Sequence, residues 1–200
     1  MKIKAIFVDL GGVIVVNGAR EIGEKFEKSD GLTREMTSKI FRYIQTANRS
    51  NEEINKYLDN ENVDQETWNK YTKELYSSEM RNDVLVNLLF QAKAKGIRIV
   101  FTTNNSSAVA KGIQKYKIED LADLVINSSE LQVAKPDKEF WEAAIKETQR
   151  SIPDITREEI LVIDDSKTNC LSAEEFGFHC FLYKNDSETN KKLKTLVEKI

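Results

Sequence analysis

The sequence predicts a doubly wound α/β fold, a parallel sheet with helices on both faces, carrying a small inserted α-helical unit. Three observations predict it. Short apolar runs at residues 3–8, 97–103 and 160–163 are rich in Ile and Val and end in polar residues, the pattern of strands buried on both faces of a parallel sheet. Segments of helical period separate the later runs, so β and α alternate. Between residues 17 and 80 the chain is polar, with apolar side chains only at helical spacing and no strand pattern.

The first strand runs through Ile6-Phe7-Val8 to Asp9 and a Gly11-Gly12 loop. The insertion follows. Ile22 and Phe26, then Ile40, Tyr43 and Ile44, then Ile54, Tyr57 and Leu58 mark short amphipathic helices. Phe41, Tyr43, Trp68 and Tyr71 are expected to form its core and not a ligand box. A helix over 83–95 turns Val84, Leu85, Leu88, Leu89 and Ala92 to one face and stops at Gly96. The strand at 97–103 and a helix at 107–116 lead to a short strand at 124–126. Pro136 is expected to open a helix at 137–148. After the strand at 160–163 come a helix at 167–176 stopped by Gly177, a last strand at 178–183 and a closing helix at 189–200, whose Lys191, Lys192 and Lys194 form a wet face. The expected organisation is an α/β core of residues 1–16 and 81–200 with a helical cap at 17–80.

Composition narrows the function classes. With 200 residues, 40% hydrophobic and 32% charged, the chain suits one core domain with a small insertion. A net charge of −3 gives no support for nucleic acid or an anionic membrane as partner. No segment approaches the roughly 20 apolar residues of a bilayer span, and the start lacks a signal-peptide pattern. Two cysteines, Cys170 and Cys180, are expected as reduced thiols in a cytoplasmic protein. Monomer and homodimer both remain open. His179 is expected to be structural, since neighbouring residues on a strand face apart and do not pair it with Cys180 as metal ligands.

The chemistry gathers at strand ends, where open α/β sheets bind ligands. Asp9 ends the first strand, Thr103-Asn104 the second and Asp164-Asp165 the buried one, with Lys135 in the loop before Pro136. A carboxylate such as Asp9 can attack phosphorus and become an aspartyl-phosphate. Two negative groups then meet, so a cation is required. Asp9 and Asp165, with Asp164 behind them, make a hard oxygen site for Mg²⁺. Thr103 and Asn104 can donate to phosphate oxygens, and Lys135 can neutralise phosphate and surplus carboxylate charge.

These segments also carry a resemblance. Phe7-Val8-Asp9-Leu10-Gly11-Gly12-Val13, Phe101-Thr102-Thr103-Asn104-Asn105, Ala134-Lys135-Pro136-Asp137 and Val162-Ile163-Asp164-Asp165-Ser166 resemble the four motifs of the haloacid dehalogenase-like hydrolases. The resemblance implies a Rossmann-like core with a first-type helical cap. It implies Asp9 as nucleophile and Mg²⁺ ligand, and Thr103 and Lys135 as phosphate-holding groups beside the Gly11-Gly12 loop. Asp165 is implied as a metal ligand supported by Asp164. Most members are phosphatases whose cap selects a small phosphorylated metabolite.

One position departs from the family pattern. A second aspartate, two residues after the nucleophile, would bind metal through its backbone carbonyl, protonate the leaving group and then activate water. Gly11 keeps the carbonyl and loses the acid. A general acid contributes roughly 10²–10⁴ in rate, about 3–5 kcal/mol. The loss matters least for oxygens that leave easily, as from an anomeric carbon or an acyl phosphate, and the Asp-Leu-Gly variant resembles a branch that includes sugar-1-phosphate phosphatases. The alternatives are a silent phospho-ligand or partner-binding relative, a phosphotransferase and a metal-independent dehalogenase. Gly11-Gly12 also has a structural explanation, a tight turn. Whether Asn17 or Glu21 of the insertion replaces the acid is open.

Overall fold

A computed structural model describes residues 2–200; Met1, the first residue of the expected core segment, lies outside them. The chain runs β1 (Ala5–Val8), β2 (Val15–Val16), α1 (Ala19–Asp30), α2 (Arg34–Gln45), α3 (Asn51–Asn60), α4 (Gln65–Ser77), β3 (Met80–Arg81), α5 (Asp83–Ala94) and β4 (Arg98–Thr103). It continues through α6 (Val109–Lys115), β5 (Leu124–Asn127), α7 (Ser128–Leu131), α8 (Lys138–Gln149), a 3₁₀ turn (Arg157–Glu159), β6 (Ile160–Asp164), α9 (Lys167–Glu175), β7 (His179–Leu182) and α10 (Ser187–Lys199).

Five strands form one parallel sheet in the order β5-β4-β1-β6-β7. The sheet expected from the apolar runs is therefore present, and β1 lies at its centre. Val8 pairs with Phe101 on one side and Ile163 on the other, so the chain leaves β1 level with the polar ends of β4 and β6. Register alone gathers the strand-end residues at one edge.

The two faces of the sheet bury separate clusters because strand side chains alternate. Ile6 and Val8 pack with Leu85, Leu89, Leu193 and Val197 from α5 and α10. Ala5 and Phe7 pack with Phe140, Trp141 and Phe176 from α8 and the end of α9. Phe178 meets Phe7 and Trp141 edge-on, with ring centroids 5.6 and 5.9 Å apart.

Helices α1–α4 make the insertion. Ile22, Phe26, Ile40, Leu58, Trp68 and Tyr71 are its buried core, and Thr33, Ser50 and Asp64 cap three of its helices by accepting backbone N–H bonds. Its two connections to the sheet run antiparallel as a β2–β3 ribbon, with Val15 opposite Arg81 and Val16 opposite Met80. That ribbon has no sequence signature, being two residues per strand. Of the expected core aromatics, Trp68 and Tyr71 are buried, Tyr43 stacks on Tyr57 at the bundle side, and Phe41 is only half-buried.

Four expectations are corrected. Val84 is 54% exposed, and Val86 takes its place on the buried face of α5. Pro136 follows a cis peptide bond in the loop, and the helix begins two residues later with Asp137 at its N-cap. Cys170 and Cys180 are joined in a disulfide and are not reduced thiols: Gly177 turns the chain so that α9 and β7 pack side by side, leaving the two Cα atoms 5.4 Å apart. His179 is exposed, so no buried structural role falls to it.

Candidate active site

Asp9, immediately after β1, has one oxygen held and one free. Its Oδ1 accepts the Leu10 N–H at 2.8 Å and lies 3.1 Å from Lys135 Nζ. Among the described residues, none makes a hydrogen bond to Oδ2. Lys135 is buried, with Nζ 2.7 Å from Asp164 Oδ2 and donating to the Thr102 carbonyl at 2.7 Å. Asp164 is wholly buried; its Oδ1 accepts from Ser166 N and the Asn169 side chain. This carboxylate therefore fixes both Lys135 and the start of α9. Asp165, the next residue, lines the crevice and is exposed there. Asp9, Asp164 and Asp165 each bring a carboxylate oxygen within 4.8 Å of the others.

Thr103 is buried at the end of β4 and lines the same crevice. Asn104 also lines it, but its side chain is committed to the Lys135 backbone: Nδ2 donates to Lys135 O at 2.8 Å, and Oδ1 accepts Lys135 N–H at 2.9 Å. The Asn104 side chain thus holds the lysine loop against β4.

The two loop glycines have different duties. A Cβ at Gly12 would lie 2.2 Å from Asp165 Oδ2, and Gly12 has φ +76°, a conformation that costs other residues about 1–2 kcal/mol. A Cβ at Gly11 would meet no atom within 4 Å. The turn explanation therefore belongs to Gly12, and the room for a side chain at position 11 is open. Gly11's carbonyl accepts none of the loop bonds, which converge on Leu10 O from Val13, Ile14 and Val15. In urea unfolding, Gly11→Ala is expected to leave stability within about 0.5 kcal/mol, whereas Gly12→Ala is expected to cost about 1–2 kcal/mol and to displace Asp165.

The crevice has a volume of about 590 Å³ and lies between the strand ends and the insertion. Helix α2 supplies Ser38, Phe41, Arg42 and Gln45. Arg42 reaches across to the core, its Nη2 on both Asp137 oxygens at 2.8 and 3.1 Å and its Nη1 on the Lys135 carbonyl. Asn17 lines the crevice; Glu21, its companion as a candidate acid, is exposed on α1 and is not among the lining residues. A residue that sequence reasoning missed is Glu79, between α4 and β3. Among the described residues it is the one lining carboxylate besides Asp9 and Asp165.

The electrostatics call for a further cation. Burial pushes the Asp9 carboxyl up to about 7; Lys135 opposes the rise, and Asp164 and Asp165 add to it. Burial and the neighbouring Asp164 push Asp165 up to about 6, with Lys135 opposing. Burial alone would lower Lys135, but Asp164 and Asp9 outweigh it and hold the ammonium above its ordinary range. Three carboxylates around a single lysine leave surplus negative charge, and their hard oxygens fit Mg²⁺. The Gly12 backbone, with no Cβ, leaves Asp165 the space it occupies.

The family model for haloacid dehalogenase-like hydrolases matches residues 3–177. A search of curated proteins finds no match. Among solved structures, the chain is similar to a predicted HAD-like family hydrolase from Porphyromonas gingivalis, with TM-score 0.73, 18% identity and 98% of each chain covered. It is similar to a HAD family enzyme of Bacteroides thetaiotaomicron in complex with magnesium and inorganic phosphate, with TM-score 0.69, 21% identity and 92% and 96% covered. It also resembles an L-2-haloacid dehalogenase from Xanthobacter autotrophicus, with TM-score 0.58, 16% identity and 89% and 76% covered. At these identities the structural likenesses speak for the fold. The extent of the family match carries the conclusion that this chain belongs to the haloacid dehalogenase-like hydrolases.

Proposed function

We infer that the protein is a Mg²⁺-dependent phosphatase that forms an aspartyl-phosphate at Asp9 and acts on a small phosphorylated metabolite, with a sugar phosphate favoured. The supporting observation is the charge arrangement around Asp9. One of its oxygens is held and the other is free, beside a buried lysine and a carboxylate pair that needs a cation. Asp9 and Asp165, with the Gly11 carbonyl and Asp164 nearby, would hold the metal, which would supply Lewis-acid polarisation of the phosphoryl group. Lys135 neutralises phosphate charge, while the Asn104 clasp and the Asp164 contact keep its ammonium in place. Thr103 and Gly11 line the same space, and Gly12 lies against Asp165 at its edge.

A metal-free dehalogenase is disfavoured by the same charges, since without a second cation the carboxylates oppose one another's ionisation. The complex of the Bacteroides thetaiotaomicron enzyme with magnesium and inorganic phosphate agrees with the phosphatase reading. The crevice favours a hydroxylated leaving group: Asn17, Ser38, Gln45 and Asn105 line it with hydrogen-bonding side chains. Among the described residues, no helix is long and apolar enough to cross a membrane.

The test is phosphate release from a panel of hexose 1-phosphates, hexose 6-phosphates and acetyl phosphate, with Mg²⁺ and with a chelator. Mg²⁺-dependent release that favours the 1-phosphates and acetyl phosphate is expected. No release from any member would overturn the reading. Halide release from a 2-haloacid without metal would replace it with the dehalogenase.

A further inference from the structure

The missing side chain at position 11 bears on two steps that differ in what can relieve them. Departure of the leaving group can proceed unaided if that group is a good one. Cleavage of the aspartyl-phosphate by water is the same step for every substrate, and it needs a base to take the proton. No choice of substrate removes that need.

Glu79 is placed to meet it. It follows α4 and precedes β3, and continuing the ribbon's register by one pair sets it opposite Asn17. The ribbon thereby brings a residue from the far end of the insertion beside the β1 loop. Glu79 lines the crevice with Asp9 and Gly11, and it also lines an adjoining cavity of about 370 Å³ that shares Gly11, Tyr76, Glu79 and Asn105 with the crevice. Gly11, without a Cβ, leaves open space at this junction, enough to admit water.

The carboxylate is held from the core side and not by the insertion. Tyr116 Oη donates to Glu79 Oε2, and Lys115 Nζ lies 3.3 Å from the same oxygen. Among the described residues, none makes a hydrogen bond to Oε1, and the side chain is 18% exposed. One oxygen is anchored and the other is free, the arrangement of a positioned base.

We propose that Glu79 is the general base for hydrolysis of the aspartyl-phosphate, standing in for the absent carboxylate at position 11. The proposal rests on the phosphatase reading above. As the water oxygen bonds to phosphorus, Glu79 takes the water proton, the bond between phosphorus and the Asp9 oxygen breaks and Asp9 returns as a carboxylate. Inorganic phosphate leaves, and Glu79 passes its proton to solvent.

The experiment is pre-steady-state hydrolysis of 4-nitrophenyl phosphate with Mg²⁺ by the wild type, Glu79→Gln and Gly11→Asp/Glu79→Gln. Glutamine keeps the shape and an oxygen for Tyr116. For Glu79→Gln the expected result is a burst of one 4-nitrophenol per protein at the wild-type rate, then steady turnover about 10²-fold slower. The double variant is expected to recover most of that turnover. A burst that slows together with turnover would make Glu79 a mere tether between ribbon and core, and unchanged turnover would exclude it; either overturns the proposal and leaves the phosphatase standing. A wild type that releases no 4-nitrophenol here and no phosphate from the metabolite panel would overturn both.

Discussion

Replacing Asp9 with asparagine is expected to lower kcat on any phosphorylated substrate by at least about 10⁴-fold, since no other carboxylate can take over the attack. Asp165 is assigned to the metal, and Asp164 has both oxygens engaged. The variant should nevertheless fold. The Asp9 carboxyl titrates in the unfolded chain at about 4, whereas burial raises it to about 7 in the folded protein. A raised carboxyl carries no penalty below the unfolded value. Its penalty grows as pH rises through that window and is complete above it. Without metal, the asparagine variant is therefore expected to match or exceed the wild type in thermal midpoint at pH 8, with the advantage gone at pH 4. Thermal unfolding beside an activity assay separates lost chemistry from lost structure. A variant that retains turnover would remove Asp9 from the mechanism.

Removal of Lys135 is expected to be costly in both respects. Its ammonium is buried against two carboxylates and a main-chain carbonyl. Lys135→Ala leaves the wholly buried Asp164 without its cation. Breaking a buried pair on one side costs about 3–5 kcal/mol, enough to lower the urea midpoint markedly. Lys135→Ala/Asp164→Asn removes both charges of the pair, and its loss of stability is expected to be smaller than the losses of Lys135→Ala and Asp164→Asn added. Activity should not return in the double variant, because the phosphate has lost its cation. Additive losses would mean that the pair contributes no coupling.

The legible and illegible parts of this molecule differ in sequence distance. Asp9, Thr103, Lys135 and Asp164-Asp165 stood out because each ends an apolar strand or lies in the loop before a helix, and parallel register does the rest. The glycine loop was legible as a turn, but which glycine makes it was not; that depends on where Asp165 lies, more than 150 positions away. The clasp of the Asn104 side chain on the Lys135 backbone is not legible either, because its partner is 31 positions away. Glu79 lay at the end of a polar helical stretch, one acid among many. Only the two-residue ribbon, too short for periodicity to register, brings it beside Gly11. The same applies to Arg42, whose partner Asp137 is 95 positions away. Cys170 and Cys180 are ten apart, yet their pairing follows from the packing of α9 against β7 and not from spacing.

The most direct test is to ask whether phosphate passes through Asp9. In a single-turnover reaction with acetyl phosphate and Mg²⁺, quenched on the millisecond scale in acid and digested, one phosphoryl group is expected on the peptide containing Asp9. It should appear before inorganic phosphate and decay as phosphate is released. Phosphate release with Asp9 unmodified at every time point would contradict the account.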